Sequence, residues 1–166
     1  MTPRPRTVPR PAVAGRVGVP LVPTLLLADA DASAREMVRD ALLEGTGPCD
    51  LRVVVDATEL AEYLHRRGPF EDPVLSPRPA LVVIDAELPT QGGVDAVRAL
   101  KSNAALRRIP VVLVVRRVDP AEAAAAYDAG ANTVIAKPVT FLALVKLMKV
   151  FTAYWLDAAV LPQESA

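Results

Sequence analysis

The chain has one cysteine, Cys49, and one histidine, His65. One thiol cannot form an intrachain disulfide or a multi-cysteine zinc site. One imidazole removes most histidine-based metal and triad chemistry. No apolar run approaches the ~20 residues of a membrane-spanning helix, and the first residues lack the apolar centre of a secretion signal. The setting these absences predict is reducing and cytoplasmic. No glycine-rich phosphate loop, dinucleotide fingerprint or internal repeat is present, which argues against a nucleotide-cofactor enzyme. What is there is ordinary: 166 residues, 52% hydrophobic and 23% charged. That is enough for one globular domain with a tail, burying roughly 70% of its unfolded surface.

The net charge of zero hides an asymmetry. Residues 1–23 hold Arg4, Arg6, Arg10 and Arg16, no acid, and six of the sixteen prolines. The remaining chain has fifteen basic and nineteen acidic side chains, a net −4. Prolines at that density block a helix or a full strand ladder, so residues 1–23 read as a disordered, partly polyproline arm. A basic arm can touch nucleic acid or an acidic partner. Four scattered arginines without interleaved aromatics fit a solvated extension better.

From residue 24 the apolar period alternates between types. Leu25 to Leu27, Leu51 to Val55, Leu81 to Asp85, Pro110 to Val115 and Thr133 to Ala136 read as strands, most of them continuous runs suited to burial on both faces. Between them lie helical segments. Ser33-Ala34-Arg35-Glu36 has the form of a capping box, with Gly45 and Gly47 as stops. Thr58 to His65 and Val94 to Lys101 give the second and third helices, and Gly68 to Pro79 a proline-rich loop. Asp119 and Pro120 open a fourth helix that Gly130 closes. A long fifth begins near Thr140. Five strands alternating with five helices predict an α/β fold with a doubly wound, five-stranded parallel sheet. The Ala121 to Ala126 run reads as a good helix former, Cys49 as a small, at least half-buried apolar residue, and His65 as a helix-surface residue.

In such sheets ligands bind beyond the carboxyl ends of the strands, at the switch in strand order. Asp29 follows the first strand, Asp85 ends the third and Lys137 follows the fifth. An aspartate at one strand end often marks only where the chain meets water. Two carboxylates and an ammonium at three strand ends of one sheet suit a magnesium ion and a phosphoryl group, since hard cations take carboxylate oxygens and a lysine offsets phosphate charge.

With these residues in place, the chain from about Thr24 to Pro162 resembles the receiver domains of bacterial two-component response regulators. Leu81 to Pro89 (LVVIDAELP) is similar to the family's phosphoacceptor segment, Asp29 to an acidic metal ligand, and Lys137-Pro138 to its lysine and following proline. Within the family, the long loop before the third strand, Leu106 to Val111, Ala126 to Asn132, and the terminal Tyr154-Trp155-Leu156 and Leu161-Pro162 resemble stand-alone regulators that partner bacterial and cyanobacterial phytochromes. The resemblance implies a (βα)5 flavodoxin-like fold over 24–157, with 1–23 as an arm and 158–166 as an apolar C-terminal arm and tail. It implies that Asp85 accepts a phosphoryl group from a histidine kinase. Magnesium, weakly held, would lie on Asp29, Asp85 and the Glu87 backbone carbonyl, with Lys137 on the phosphoryl group and a cis Lys137–Pro138 bond. It implies no enzyme beyond self-phosphorylation and autodephosphorylation.

Three positions depart from the family pattern. Ala28 stands where a second acid is usual, Val115 where a hydroxyl is, and Val134 where an aromatic is. A lost charge-assisted hydrogen bond costs on the order of 1.5–3 kcal/mol, enough to blunt a switch between states a few kcal/mol apart. Arg116, next to Val115, is a candidate to bind the phosphoryl oxygens or to pair with Asp85; a solvated loop arginine is the plain alternative.

Too little chain follows the last helix for a helix-turn-helix or a catalytic module, so the output expected is protein–protein contact, without DNA or membrane binding. In the last helix Phe141, Leu144, Val145, Met148, Phe151 and Trp155 form an apolar stripe that Leu142, Leu147, Val150 and Tyr154 widen. One sheet face does not need that much. The resembling regulators dimerise here, so a homodimer is expected through Phe151, Tyr154, Trp155, Leu156, Val160 and Leu161. Two functions follow: a phospho-accepting single-domain regulator, or a degenerate receiver acting as a phosphorylation-independent dimeric interaction module. Retention of Asp29, Asp85 and Lys137 favours the first, and Ala28, Val115 and Val134 the second.

Overall fold

Five short apolar runs pair into one parallel sheet: β1 (Thr24–Ala28), β2 (Asp50–Val54), β3 (Leu81–Asp85), β4 (Val111–Val115) and β5 (Thr133–Ala136), in the spatial order β2-β1-β3-β4-β5. The computed structural model describes residues 22–44 and 48–162. The arm read over 1–23 therefore lies, but for Val22 and Pro23, outside the described residues, as do the stops Gly45 and Gly47 and the last four residues of the tail. Five helices connect and follow the strands: α1 (Ala32–Leu43), α2 (Ala57–His65), α3 (Gly93–Ser102), α4 (Pro120–Asp128) and α5 (Phe141–Thr152), the last continued by a π-helical segment, Ala153–Ala158. No described helix is long and apolar enough to cross a membrane.

The central strands β1, β3 and β4 are almost wholly apolar because both faces are covered, whereas the edge strand β2 carries Asp50 and Arg52 and is buried only at Val54. Leu26, Ala28, Val82, Ile84, Leu113 and Val115 point to one face, where α2, α3 and α4 bring Leu60, Tyr63, Val97, Leu100 and Ala126. Leu25, Leu27, Leu81, Val83 and Val112 point to the other, under Ala41 of α1 and Leu144, Val145, Met148 and Phe151 of α5. The proline-rich loop before β3 is fastened rather than loose. Tyr63 packs on Phe70 with ring centroids 5.2 Å apart and its hydroxyl donates to the Pro77 carbonyl at 2.9 Å. Cys49 is half-buried against the α1/α5 side, and burial pushes its thiol up to about 11, so it is inert near neutral pH.

Four expectations change. The cap of α1 is Asp31, whose carboxylate accepts from Ser33 N and Ala34 N, and not Ser33 of the apparent capping box. A charged oxygen suits the positive helix start better than a hydroxyl two residues further on. The Lys137–Pro138 bond is trans, as are all the peptide bonds described. Trans is the favoured form by about 0.5–1 kcal/mol at an X–Pro bond, and Lys137 reaches its partners without departing from it. Phe151 is buried beneath its own chain and so presents no dimer surface. Trp155 packs partly against the same cluster. The segment past Phe151 thus does have intrachain partners, because the helical rise carries Trp155 back over the sheet one turn after Phe151. Tyr154 and Val160 stay exposed.

The turn from β3 into α3 is tight at Gly93, whose N–H donates to the Ala86 carbonyl at 2.9 Å. A Cβ there would lie 2.5 Å from the Asp85 carbonyl oxygen, 2.6 Å from Ala86 Cα and 2.8 Å from Leu113 Cδ1. Gly93→Ala is expected to destabilise the fold by about 3 kcal/mol through overpacking against backbone that cannot give way; urea denaturation measures it.

Candidate functional site at the carboxyl edge of the sheet

The strand order reverses between β1 and β3, so the crevice at their carboxyl ends is where this topology leaves a site. Asp29 leaves β1 there, Asp85 ends β3 beside it, and Lys137 comes across from β5. Lys137 is steered by its own backbone: its N–H donates to the Val115 carbonyl at 2.7 Å and carries the β4–β5 ladder one residue past the strand.

Lys137 Nζ donates to Asp85 Oδ2 at 2.8 Å and to Asp29 Oδ2 at 3.0 Å. The other carboxylate oxygens are held by backbone. Asp29 Oδ1 accepts from Asp31 N and Asp85 Oδ1 from Glu87 N, each at 2.8 Å. The side chains grade outward, from 7% exposed for Asp29 to 16% for Asp85 and 32% for Lys137. Burial alone would lower the lysine pKa, but the hydrogen bonds and charges of Asp85 and Asp29 outweigh it and hold the ammonium above its ordinary range. The cluster carries one net negative charge.

All three strand-end residues expected from the sequence therefore meet. Arg116 does not join them: its guanidinium lies 2.7 Å from the Glu87 carboxylate, and both side chains are mostly in solvent, 74% and 60% exposed. Sequence reasoning assigned Glu87 through its carbonyl. Its N–H on Asp85 is an Asx turn that the Asp-x-Glu spacing could have indicated, whereas its carboxylate on Arg116, 29 residues away, has no spacing signature. The missing hydroxyl position, Val115, is buried in the core, as is Ala28. Val134 is partly buried against the same cluster.

Magnesium keeps several waters and needs one or two carboxylates, which Asp29 and Asp85 supply. Among the described residues no group of three His, Cys, Asp or Glu side chains stands together as a closed metal cage. The donor set fits a divalent cation that keeps several of its waters. Beneath the cluster, between the sheet and α1 and α5, lies an apolar cavity of about 100 Å³ lined by Val83, Val114, Ile135, Leu144 and Met148 among others. Asp29, Asp85 and Lys137 also line it, so the cluster borders an apolar floor.

The model of the response regulator receiver domain family matches residues 25–149. The chain belongs to that family. As a receiver it is 29% identical to response regulator Rcp1 of Synechocystis over 138 residues, 83% of this chain and 91% of Rcp1. The crystal structure of Mn(2+)-bound Rcp1 superposes with a TM-score of 0.77 at 26% identity, covering 85% of this chain and 99% of that one. The structure of the phosphorylated cyanobacterial phytochrome response regulator RcpA gives a TM-score of 0.79 at 27% identity, over 86% and 99%. The receiver is thus related to phytochrome-associated response regulators, and its doubly wound parallel sheet is the one its sequence predicts.

Lys137→Met would leave Asp29 and Asp85 facing each other without a cation. A fully buried broken pair costs ~3–5 kcal/mol; with a third of Lys137 in water, about 2 kcal/mol is expected from chemical denaturation. The sign with pH follows from a raised lysine pKa. The stabilisation is complete below the ordinary value of 10.5 and is lost as pH rises through the folded value. The advantage of the wild type over the variant should therefore be undiminished at about pH 9 and close only in stronger alkali.

Proposed function

We propose that this receiver is a single-domain response regulator that accepts a phosphoryl group on Asp85 from the phosphohistidine of a histidine kinase, one of phytochrome type being the fitting class. The observation that carries the reading is Lys137 Nζ held between two carboxylates at the switch point of the sheet. In the transfer, one Asp85 oxygen forms the new O–P bond while the P–N bond of the phosphohistidine breaks, its electron pair staying on the imidazole nitrogen. The Glu87 N–H keeps the carboxylate oriented, and Lys137 offsets charge on the incoming oxygens. Asp29 and Asp85, with the Glu87 carbonyl as a third oxygen, would hold magnesium, which supplies further positive charge to the phosphoryl oxygens when bound. Self-phosphorylation from a small phosphodonor and hydrolysis of the acyl phosphate would be the receiver's only reactions of its own. The functional unit proposed is the domain of residues 24–157, with 158–166 as an apolar arm, acting in the cytoplasm through protein contacts.

A homodimer is part of the proposal. What supports it is apolar surface on the outward half of α5 and beyond: Leu142, Val150, Tyr154 and Val160 are all exposed. Covering each large side chain is worth about 1.5–3 kcal/mol, doubled by two-fold symmetry.

Three measurements test these statements. Phosphorylation with a small-molecule phosphodonor and magnesium, followed by intact mass, should add one phosphoryl group to the wild type and none to Asp85→Asn; a gain in the variant overturns the assignment. Ala28→Asp should tighten magnesium by about tenfold in calorimetric titration, since an added carboxylate ~4 Å from the cation contributes ~1 kcal/mol or more. For assembly, light scattering should report a dimer for the full chain and a monomer for the pair Val150→Lys with Tyr154→Lys. Those substitutions leave Phe151 and Trp155 on the core, so the fold survives by circular dichroism.

A further inference from the structure

The resting site balances its charges to −1 with one lysine. Phosphorylation of Asp85 would replace a single negative charge by about −2, and Lys137 is already shared between two carboxylates. Even with magnesium offsetting that charge, three phosphoryl oxygens offer more acceptor sites than Lys137 alone can serve, and a second donor fits there. Arg116 is attached to it at one remove. Its guanidinium sits on the Glu87 carboxylate at 2.7 Å, and the N–H of that same Glu87 sits on Asp85 Oδ1 at 2.8 Å. The residue before it, Val115, is buried and has no donor in its side chain. Around Arg116 is an open cleft of about 580 Å³ lined by Glu87, Arg117, Asp119 and Glu122, which gives a long side chain room to swing.

We infer that Arg116 is a two-partner latch: it rests on Glu87 in the unmodified receiver and moves to the phosphoryl oxygens once Asp85 is modified. This rests on Asp85 being the phosphoacceptor. The exchange is favoured because the resting pair is solvated on both sides and therefore weak. A phosphoryl group offers a planar guanidinium two parallel, charge-assisted bonds in place of one carboxylate. The movement has somewhere to go. Residues 116–119 run directly from β4 to the cap of α4, where the Asp119 carboxylate accepts from Ala121 N. The only buried residue of α4 is Ala126. The remaining ties, the buried C-cap Ala129 and the Tyr127 hydroxyl accepting from Val134 N at 3.3 Å, lie at the far end of the helix, so its first turn follows a pull more readily than one set deep in the core. The latch therefore converts charge at Asp85 into a displacement of α4.

The experiment combines intact mass with NMR before and after treatment with acetyl phosphate and magnesium. The expected result is a gain of one phosphoryl group, a shift of the Arg116 Nε–Hε resonance, and shifts of the amides of residues 116–122. In Arg116→Gln the amide shifts per phosphorylated molecule should fall by about fivefold or more, the scale of one lost charge-assisted bond. Arg116→Lys should recover part of them, and Arg117→Gln should keep them in full. Glu87→Gln, which removes the resting partner, should move the amides of the unmodified protein toward their phosphorylated positions. A mass gain without movement of the Arg116 resonance, or full amide shifts in Arg116→Gln, overturns the latch and leaves the phosphoacceptor reading standing. Absence of any mass gain overturns both.

Discussion

Two carboxylates brought to one edge of a sheet repel each other, and taking them out of water raises the cost. Lys137 makes the arrangement tenable. Its ammonium donates to both, and the backbone N–H groups of residues 31 and 87 take up the remaining oxygens. Much of the surrounding structure serves this contact. The β4–β5 ladder runs one residue long to aim the lysine, and the tight turn at Gly93 fixes where Asp85 ends. A net charge of −1 is left over, which makes the edge receptive to a cation.

The three positions that depart from the family pattern share a physical property. Ala28 and Val115 are buried on the sheet face under α2, α3 and α4, and Val134 packs against the same cluster. At Ala28 and Val115, where the family pattern has a polar group, the side chain here contributes to packing. The crevice in turn depends on backbone groups and on charges set further out. At Val115 the carbonyl remains a working part, as the acceptor for the Lys137 N–H, although the side chain offers nothing.

The fold was legible because buried parallel strands leave continuous apolar runs, and Leu81 to Asp85 and Thr133 to Ala136 coincide with β3 and β5 residue for residue. Asp29, Asp85 and Lys137 were legible because strand ends of a doubly wound sheet converge, so sequence position alone carries the geometry. Local choices between equivalent groups were not. Asp31 and Ser33 are both good caps two residues apart, and only the backbone path decides between them. In α5 the apolar residues run nearly round the cylinder, so their pattern could not say that Phe151 faces inward and Val150 outward. The pairing of Arg116 with Glu87 joins two loops 29 residues apart, and no periodicity records such a contact.

Lys137 stands 108 residues from Asp29 and 52 from Asp85. Loops of that length close late, after the strands between them have paired. A chain leaving the ribosome presents Asp85, and can pair β1 with β3, well before Lys137 has been made. Until β5 docks, the two carboxylates have no ammonium between them and the edge of the sheet is only a repulsive pair of acids. The site thus reports completion of the fold. A nascent, truncated or partly opened copy lacks the charge arrangement of the finished edge until its last strand is in place.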